Sequence, residues 1–137
     1  MVTIMDELWI ITQDGIVLFN HVYNQKVEAQ LFGALLSAIN TFAEEVSNGG
    51  LSNFELSARQ FVLLNKNDIL FIGSANKKIK KEIISKQLEG IANRFFEKYP
   101  ELVKRKEWDN DITRFESFEE EIKEIFEDSV KKFWKGF

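Results

Sequence analysis

The sequence contains no cysteine, and it has a single proline and a single histidine among its 137 residues. Without cysteine, the chain can form no disulfide, no thiolate metal site and no cysteine nucleophile. One histidine, His21, cannot assemble a zinc site from nitrogen and sulfur ligands. Basic residues are outnumbered, and the net charge of −4 argues against a general nucleic-acid binder. We therefore predict no metal, no cofactor and no enzymatic activity.

Long apolar runs are also absent. Runs such as Leu8–Ile11 and Ile69–Ile72 are too short to span a bilayer, and no signal-peptide core opens the chain. We therefore expect a cytoplasmic protein that reaches membranes only through partners. The length fits one domain over residues 1–137, with the sheet and first helix in about 6–76 and the C-terminal helices in about 77–137.

The chain does contain several runs of strand-like sequence. Leu8–Thr12 and Ile16–Tyr23 are rich in β-branched and aromatic residues, and Asp14-Gly15 between them is typical of a tight hairpin turn. Three more strand-like runs, separated by turn residues, follow within 51–76. They are Phe54–Ser57, Gln60–Leu64 and Ile69–Gly73.

Three segments have the period of a helix. The first runs from about Lys26 to Ser47 and ends at Asn48-Gly49-Gly50, because glycine accepts the left-handed conformation that ends helices. The second begins at about Lys77 and must end near Pro100, which lacks a backbone N–H. The third opens with a capping box at Thr113–Glu116. The order β-β-α-β-β-β-α-α predicts an α+β fold in three layers (α/β/α), with a five-stranded antiparallel sheet.

The first helix is apolar over a wider arc than one sheet covers. We predict that Val27, Leu31, Leu35 and Phe42 face the sheet, and that the flanking residues form a partner surface. Gly33 within the helix suggests that another backbone comes close. An edge strand nearby would extend this surface through unpaired backbone groups. The predicted partner-binding residues are Phe32, Gly33, Leu36, Ser37, Asn40, Ala43, Phe54 and Glu55.

Two basic segments leave alternatives open. The lysines at the predicted start of the second helix oppose the helix dipole, and they either contact an acidic partner or anion or are simply solvated. These are Lys77, Lys78, Lys80 and Lys81. The aromatic tail Lys131–Phe137 could complete the core, pack on a partner or reach a membrane interface, and we favour packing on protein.

With this element order, the chain resembles longin-like domains, and most of all the stand-alone single-domain longin proteins of archaea that are related to eukaryotic trafficking machinery. The matching segments cover nearly the whole chain. They are Leu8–Phe19, Gln30–Glu45, Gly50–Leu56, Ile69–Gly73, Phe95–Pro100, Trp108-Asp109 and Phe118-Glu119.

The resemblance implies a longin/profilin-like sheet with the first helix on one face and the C-terminal helices on the other. It also implies a non-catalytic platform that pairs with itself or with another longin or roadblock domain, and that binds small GTPases. Roadblock domains begin with a helix, so the opening hairpin favours a longin. The chain has no coiled-coil SNARE segment, which argues against a direct role in membrane fusion.

Two functions remain open at this point. The leading hypothesis is a self-associating interaction module that engages a small GTPase in a trafficking-like or signalling complex. The alternative is a structural subunit of an adaptor- or tether-like complex without direct GTPase contact. Function transfers weakly between proteins that share only a fold.

Overall fold

The computed structural model describes residues 5, 7–13, 15–22, 29–46, 53–56, 59–100, 102 and 113–123. The predicted loop at 107–112 and the tail Lys131–Phe137 lie outside the described residues, as does Val27. Five strands form one sheet in the order β2-β1-β5-β4-β3, and every neighbouring pair is antiparallel. The strands are β1 (Glu7–Thr12), β2 (Val17–Val22), β3 (Asn53–Leu56), β4 (Arg59–Lys66) and β5 (Ile69–Asn76).

Helix α1 (Ala29–Val46) joins β2 to β3, and α2 (Lys81–Lys98) follows β5. A short 3-10 turn at Thr113–Ser117 leads into helical residues 118–123, and together they form the third helix. The predicted α+β class, five-stranded antiparallel sheet and element order are confirmed. The capping box at Thr113 opens a 3-10 turn first, so the predicted start is right and its first turn is tighter than an α-helix.

Both predicted hairpins are present, and each turn has the backbone conformation that its residues favour. Gly15 has φ +89°, which a side chain would make costly. In the β4–β5 turn, Asn67 and Asp68 have φ values of 52° and 63°. Asn and Asp tolerate this left-handed region better than other residues that carry a side chain. The turn chemistry in the sequence therefore fixes both hairpins.

Alternating residues of the central strands divide the core into two layers. In β1, Leu8 and Ile10 pack on the side of α2, whereas Trp9 and Ile11 pack on the side of α1. This is the period of two expected for a strand that is covered on both faces. The predicted placement of the first helix opposite the C-terminal helices is confirmed.

The α2 side of the sheet is filled by an aromatic cluster centred on Phe95. Its ring lies 5.6 Å from that of Phe71 in the sheet and 5.3 Å from that of Phe118 in the third helix, both edge to face. Phe115 and Ile122 are fully buried against the same cluster. The third helix is therefore held mainly by burial of its apolar face.

Tyr99 adds a polar link between the end of α2 and the third helix. It is buried, and its hydroxyl lies 3.2 Å from the Arg114 carbonyl oxygen, to which it donates, and 2.9 Å from Ser117 Oγ. We expect Tyr99→Phe to lower the free energy of unfolding by about 1 kcal/mol, because the ring stays and only hydrogen bonds are lost. Urea denaturation measures this, and an unchanged midpoint would show that the hydroxyl does not contribute to stability.

Candidate interaction surface

One face of α1 packs against the β1–β2 hairpin at very short range. A Cβ placed on Gly33 would lie 2.6 Å from the Gly15 carbonyl oxygen and 2.6 Å from Val17 Cγ2. Ser37 Oγ donates a hydrogen bond to the Gln13 carbonyl. The Gln30 side-chain amide forms two hydrogen bonds with the backbone of Val17. It accepts from the Val17 N–H at 3.0 Å and donates to the Val17 carbonyl oxygen at 3.3 Å. Small residues therefore allow this helix to approach the hairpin closely, and side-chain hydrogen bonds hold it there.

The same face of α1 carries the side chains that cover the sheet. Leu36 is 1% exposed, and the Phe32 ring lies 4.5 Å from that of Trp9. Asn40 is only 5% exposed, and its amide donates to Glu44 Oε1 at 3.2 Å within the helix. This polar side chain can be buried because its amide is hydrogen-bonded.

The prediction that this face is exposed to a partner is wrong. Gly33, Leu36 and Asn40 are buried, and Phe32, Ser37 and Ala43 are half-buried. Gly33 does mark a close backbone approach, as the sequence indicates, but the neighbour is the Gly15 turn of the same chain. The helix comes this near the hairpin because Gly33 and Ser37 are small at the points of contact, so the face that carries them turns inward.

The outward face of α1 is an apolar stripe. It includes Leu31, Leu35 and Phe42, which were predicted to face the sheet, so that prediction is wrong. Ala34 and Ala38 are exposed along one side of its larger residues. At about 100° per residue, those larger residues fall within roughly 80° of the helix circumference. We refer to the two alanines and the five larger residues together as the α1 stripe. The large members are Leu31 (64% exposed), Leu35 (55%), Ile39 (38%), Phe42 (70%) and Val46 (72%).

The charges of α1 lie only at its C-terminal end. The helix has no lysine or arginine, no acidic residue in its first turn and no basic residue in its last turn. Glu44 and Glu45 are both exposed in the last turn, where the helix dipole disfavours acidic side chains. By its position in the helix Glu45 lies within the alanine side of the α1 stripe, between Ala34 and Ala38 in angle.

Strand β3 lies at one edge of the sheet, as predicted. The Phe54 ring stacks on that of Phe61 at 4.6 Å and packs with the core layer under α1. The Glu55 carboxylate lies 3.4 Å from Lys77 Nζ, in the turn before α2. Successive strand residues point to opposite faces, so Phe54 and Glu55 are neighbours in sequence that belong to different surfaces.

The lysine cluster is partly engaged within the chain. Helix α2 begins at Lys81 rather than at Lys77, so Lys77 and Lys78 lie in the preceding turn. Lys77 pairs with Glu55, and Lys81 Nζ donates to Asn53 Oδ1 at 3.0 Å. Lys78 and Lys80 are exposed. The conflict with the helix dipole is therefore smaller than the sequence indicates, because only one lysine of the four is in the helix.

A shallow cleft lies at the opposite edge of the sheet, between β2 and the third helix. Its volume is about 310 Å³, and its lining includes Phe19, Glu116 and Glu119. His21 Nδ1 lies 2.9 Å from Glu119 Oε1 and ties β2 to the third helix. No group of three His, Cys, Asp or Glu side chains in the described part of the chain could hold a metal ion. Among the same residues, no helix is long and apolar enough to cross a membrane.

Comparisons with known proteins show which solved structures this architecture resembles. No protein-family model and no curated protein sequence matches the chain. Among solved structures, MglB of Myxococcus xanthus is similar, with a TM-score of 0.57 and 8% identity over 72% of this chain and 79% of that one. A Roadblock/LC7 domain from Streptomyces avermitilis has a TM-score of 0.52 and 12% identity over 67% of this chain and 86% of that one. This chain has the longin-like fold.

The longin-like assignment confirms the resemblance inferred from the sequence at the level of fold. At such low identity, what is shared is the arrangement of the elements, and residue roles do not transfer. Function must therefore be argued from the surfaces of this longin-like domain itself.

Proposed function

We propose that this chain is a non-catalytic protein-interaction module that self-associates and engages a small GTPase in a trafficking-like or signalling complex. The observation that carries the proposal is the α1 stripe. Five large apolar side chains between 38% and 72% exposed line one helix face. Fully burying one such side chain is worth roughly 1.5–3 kcal/mol, so a partner that covers the stripe gains substantial binding free energy.

A protein partner fits the stripe better than a lipid surface does. Helices that lie on membranes carry lysine and arginine along their polar face. Helix α1 has neither, and its only charged residues are Glu44 and Glu45. Anionic lipid would repel these carboxylates. Contiguous apolar patches rimmed by polar residues are typical of protein interfaces.

A second copy of the chain is the partner that the stripe fits most simply. Two identical faces related by a two-fold axis bury each other, and no second protein is needed to remove the exposed apolar area. Strand β3 ends the order of the five described strands, and an edge strand can extend such an interface by strand pairing. Phe54 lies on the α1 side of that edge strand.

We expect the wild-type chain to be at least dimeric at about 100 μM, and Phe42→Asp to raise the dissociation constant at least about thirty-fold. A charge at the centre of an apolar interface is costly only where a partner buries it. Sedimentation equilibrium measures the change. Ile83→Asp is the matched control, because Ile83 is also an exposed apolar residue, at 43%, but lies on α2. Equal effects of the two substitutions would contradict an interface at the stripe.

The small GTPase is tested separately. Purified small GTPases, loaded with GDP or with a non-hydrolysable GTP analogue, are titrated onto the wild type, Phe42→Asp and a Lys78→Glu/Lys80→Glu double variant by calorimetry. Loss of binding with Phe42→Asp places the GTPase on the stripe or on the dimer that it builds. Loss of binding with the lysine variant alone indicates that the GTPase contacts the basic turn before α2, where charge acts mainly on the association rate. Absence of binding to every GTPase favours the alternative, a structural subunit of an adaptor- or tether-like complex.

A further inference from the structure

We infer that the cleft beside β2 binds an extended segment of a partner protein, which adds a strand to the sheet and carries lysine or arginine at alternate positions. This cleft lies at the opposite edge of the sheet from β3, and none of its lining residues belongs to the α1 stripe. The inference follows from the walls of the cleft, its floor and its charges.

Both layers that cover the sheet contribute a wall to the cleft. Gln30 lines it from the N-terminal end of α1, and Glu116 and Glu119 line it from the third helix. Its floor is β2 from Val17 to Asn20, and β2 ends the order of the five described strands. Because the two walls come from opposite faces of the sheet, the space between them is where a further strand would lie.

The Gln30 side chain shows that this edge of the sheet can form hydrogen bonds in the manner of a paired strand. Its amide accepts from the Val17 N–H at 3.0 Å and donates to the Val17 carbonyl oxygen at 3.3 Å. A directly opposite residue of an antiparallel strand makes the same two hydrogen bonds, since a side-chain amide carries the donor and acceptor of a peptide group. Both backbone groups of Val17 are therefore directed toward the cleft, and an incoming segment can continue this pairing along the rest of β2.

The charges of the cleft favour a basic segment. In the described part of the chain, its lining holds the carboxylates of Glu116 and Glu119 and no lysine or arginine. Glu116 is exposed, and Glu119 Oε1 is held 2.9 Å from His21 Nδ1. These carboxylates repel the phosphates of nucleic acids and anionic lipids, whereas lysine or arginine of a polypeptide offsets their charge.

The period of a strand predicts the sequence pattern of the segment. Phe19 and His21 point toward the third helix, so Asn20 between them points to the α1 side. In an incoming strand, the side chains that face the third helix are two residues and about 6.8 Å apart. Glu116 and Glu119 are one helical turn apart, at about 5–6 Å. Two basic residues at alternate positions can therefore reach both carboxylates, and the residues between them face the α1 side.

Binding is measured by NMR, with the isotope-labelled chain and a short peptide that alternates lysine and threonine and is blocked at both ends. We expect the peptide to shift the amide signals of β2 and of the third helix, and to slow hydrogen exchange in β2. A peptide with glutamate in place of each lysine should not bind. Proline in place of the central threonine cannot donate to a strand, and it should raise the dissociation constant at least about threefold.

Glu116→Lys tests the charge of the cleft. We expect it to raise the dissociation constant of the lysine peptide at least about threefold, because an attractive contact becomes a repulsive one, and we expect a smaller effect at high salt. Glu89→Lys is the matched control, because Glu89 is exposed on α2 and its reversal changes the net charge equally. Equal weakening by the two substitutions would mean that the peptide responds to net charge alone, which overturns the cleft as its site.

The remaining outcomes are equally decisive. Absence of binding, shifts confined to another surface, or equal binding of the glutamate or proline peptide overturns the inference. Shifts in the cleft that grow with protein concentration, without peptide, would assign the cleft to a second copy of the chain and also overturn it. Phe42→Asp, which alters only the α1 stripe, should bind the lysine peptide as the wild type does, so a failure of the proposed self-association is distinguishable from a failure of this site.

Discussion

We expect Leu36→Asp to unfold the chain and Leu35→Asp to leave it folded. The two leucines are neighbours in α1, yet Leu36 is 1% exposed and Leu35 is 55% exposed. Aspartate at position 36 creates a cavity beneath the helix and places an unpaired carboxylate among the apolar residues around Trp9 and Ile72. Such a change costs more than about 4 kcal/mol, which is most of the stability of a typical small domain.

Circular dichroism and urea denaturation distinguish the two variants. At equal protein concentration, Leu36→Asp should lose near-UV signal and most of its unfolding transition. Leu35→Asp should keep both and sediment as a smaller species, because its charge lies on the α1 stripe. If Leu36→Asp stays folded and merely dissociates, the inward face of α1 has been assigned to the wrong side.

The contrast between these leucines shows where sequence reasoning succeeded. Strands alternate with a period of two, and Gly15, Asn67 and Asp68 mark turns with characteristic chemistry, so the hairpins and the sheet could be predicted. The third helix has one apolar side and a strongly acidic opposite side, so its buried face was readable too: Phe115, Phe118 and Ile122 are fully buried, as predicted.

Helix α1 has no such contrast between an apolar and a charged side. For this reason the prediction exchanged its buried and exposed faces. Apolar side chains occupy both of its sides, so periodicity shows that it is a helix without showing which side meets the sheet. Burial of apolar surface is the dominant stabilising term, which favours the bulkier side for the core, yet that side is the exposed one. The deciding signal was Gly33. A glycine inside a helix indicates a close backbone neighbour, and in a small domain the neighbour within the same chain should be considered before a partner.

Some features could not be read from a single sequence at all. The His21–Glu119 pair joins residues 98 positions apart, and the Lys77–Glu55 pair depends on the register of an edge strand. Neither has a local pattern. Pairs of this kind follow from how the layers are stacked, and they become visible only when the three-dimensional arrangement is known.

Gly33→Ala should destabilise the chain by about 1–3 kcal/mol, although alanine is the better helix former by about 1 kcal/mol. The added methyl group would sit 2.6 Å from the Gly15 carbonyl oxygen and from Val17 Cγ2. Neither neighbour can yield easily. Gly15 has φ +89° and is itself packed against Ala34, so the hairpin must move away from the helix, which strains the Ser37–Gln13 and Gln30–Val17 hydrogen bonds.

Gly90→Ala in α2 is the control that isolates this effect. A Cβ at Gly90 meets nothing within 4 Å, so the same substitution should there stabilise the chain by roughly 0.5–1 kcal/mol through helix propensity alone. Urea denaturation of the two variants should therefore give shifts of opposite sign. The same experiment distinguishes the two explanations of Gly33. If the glycine served only the close approach of a partner, the isolated chain would tolerate alanine at position 33 as well as at position 90. Stabilisation by both substitutions would mean that the hairpin does not pack closely on α1 at Gly33, and the outward orientation of the α1 stripe would lose its physical cause.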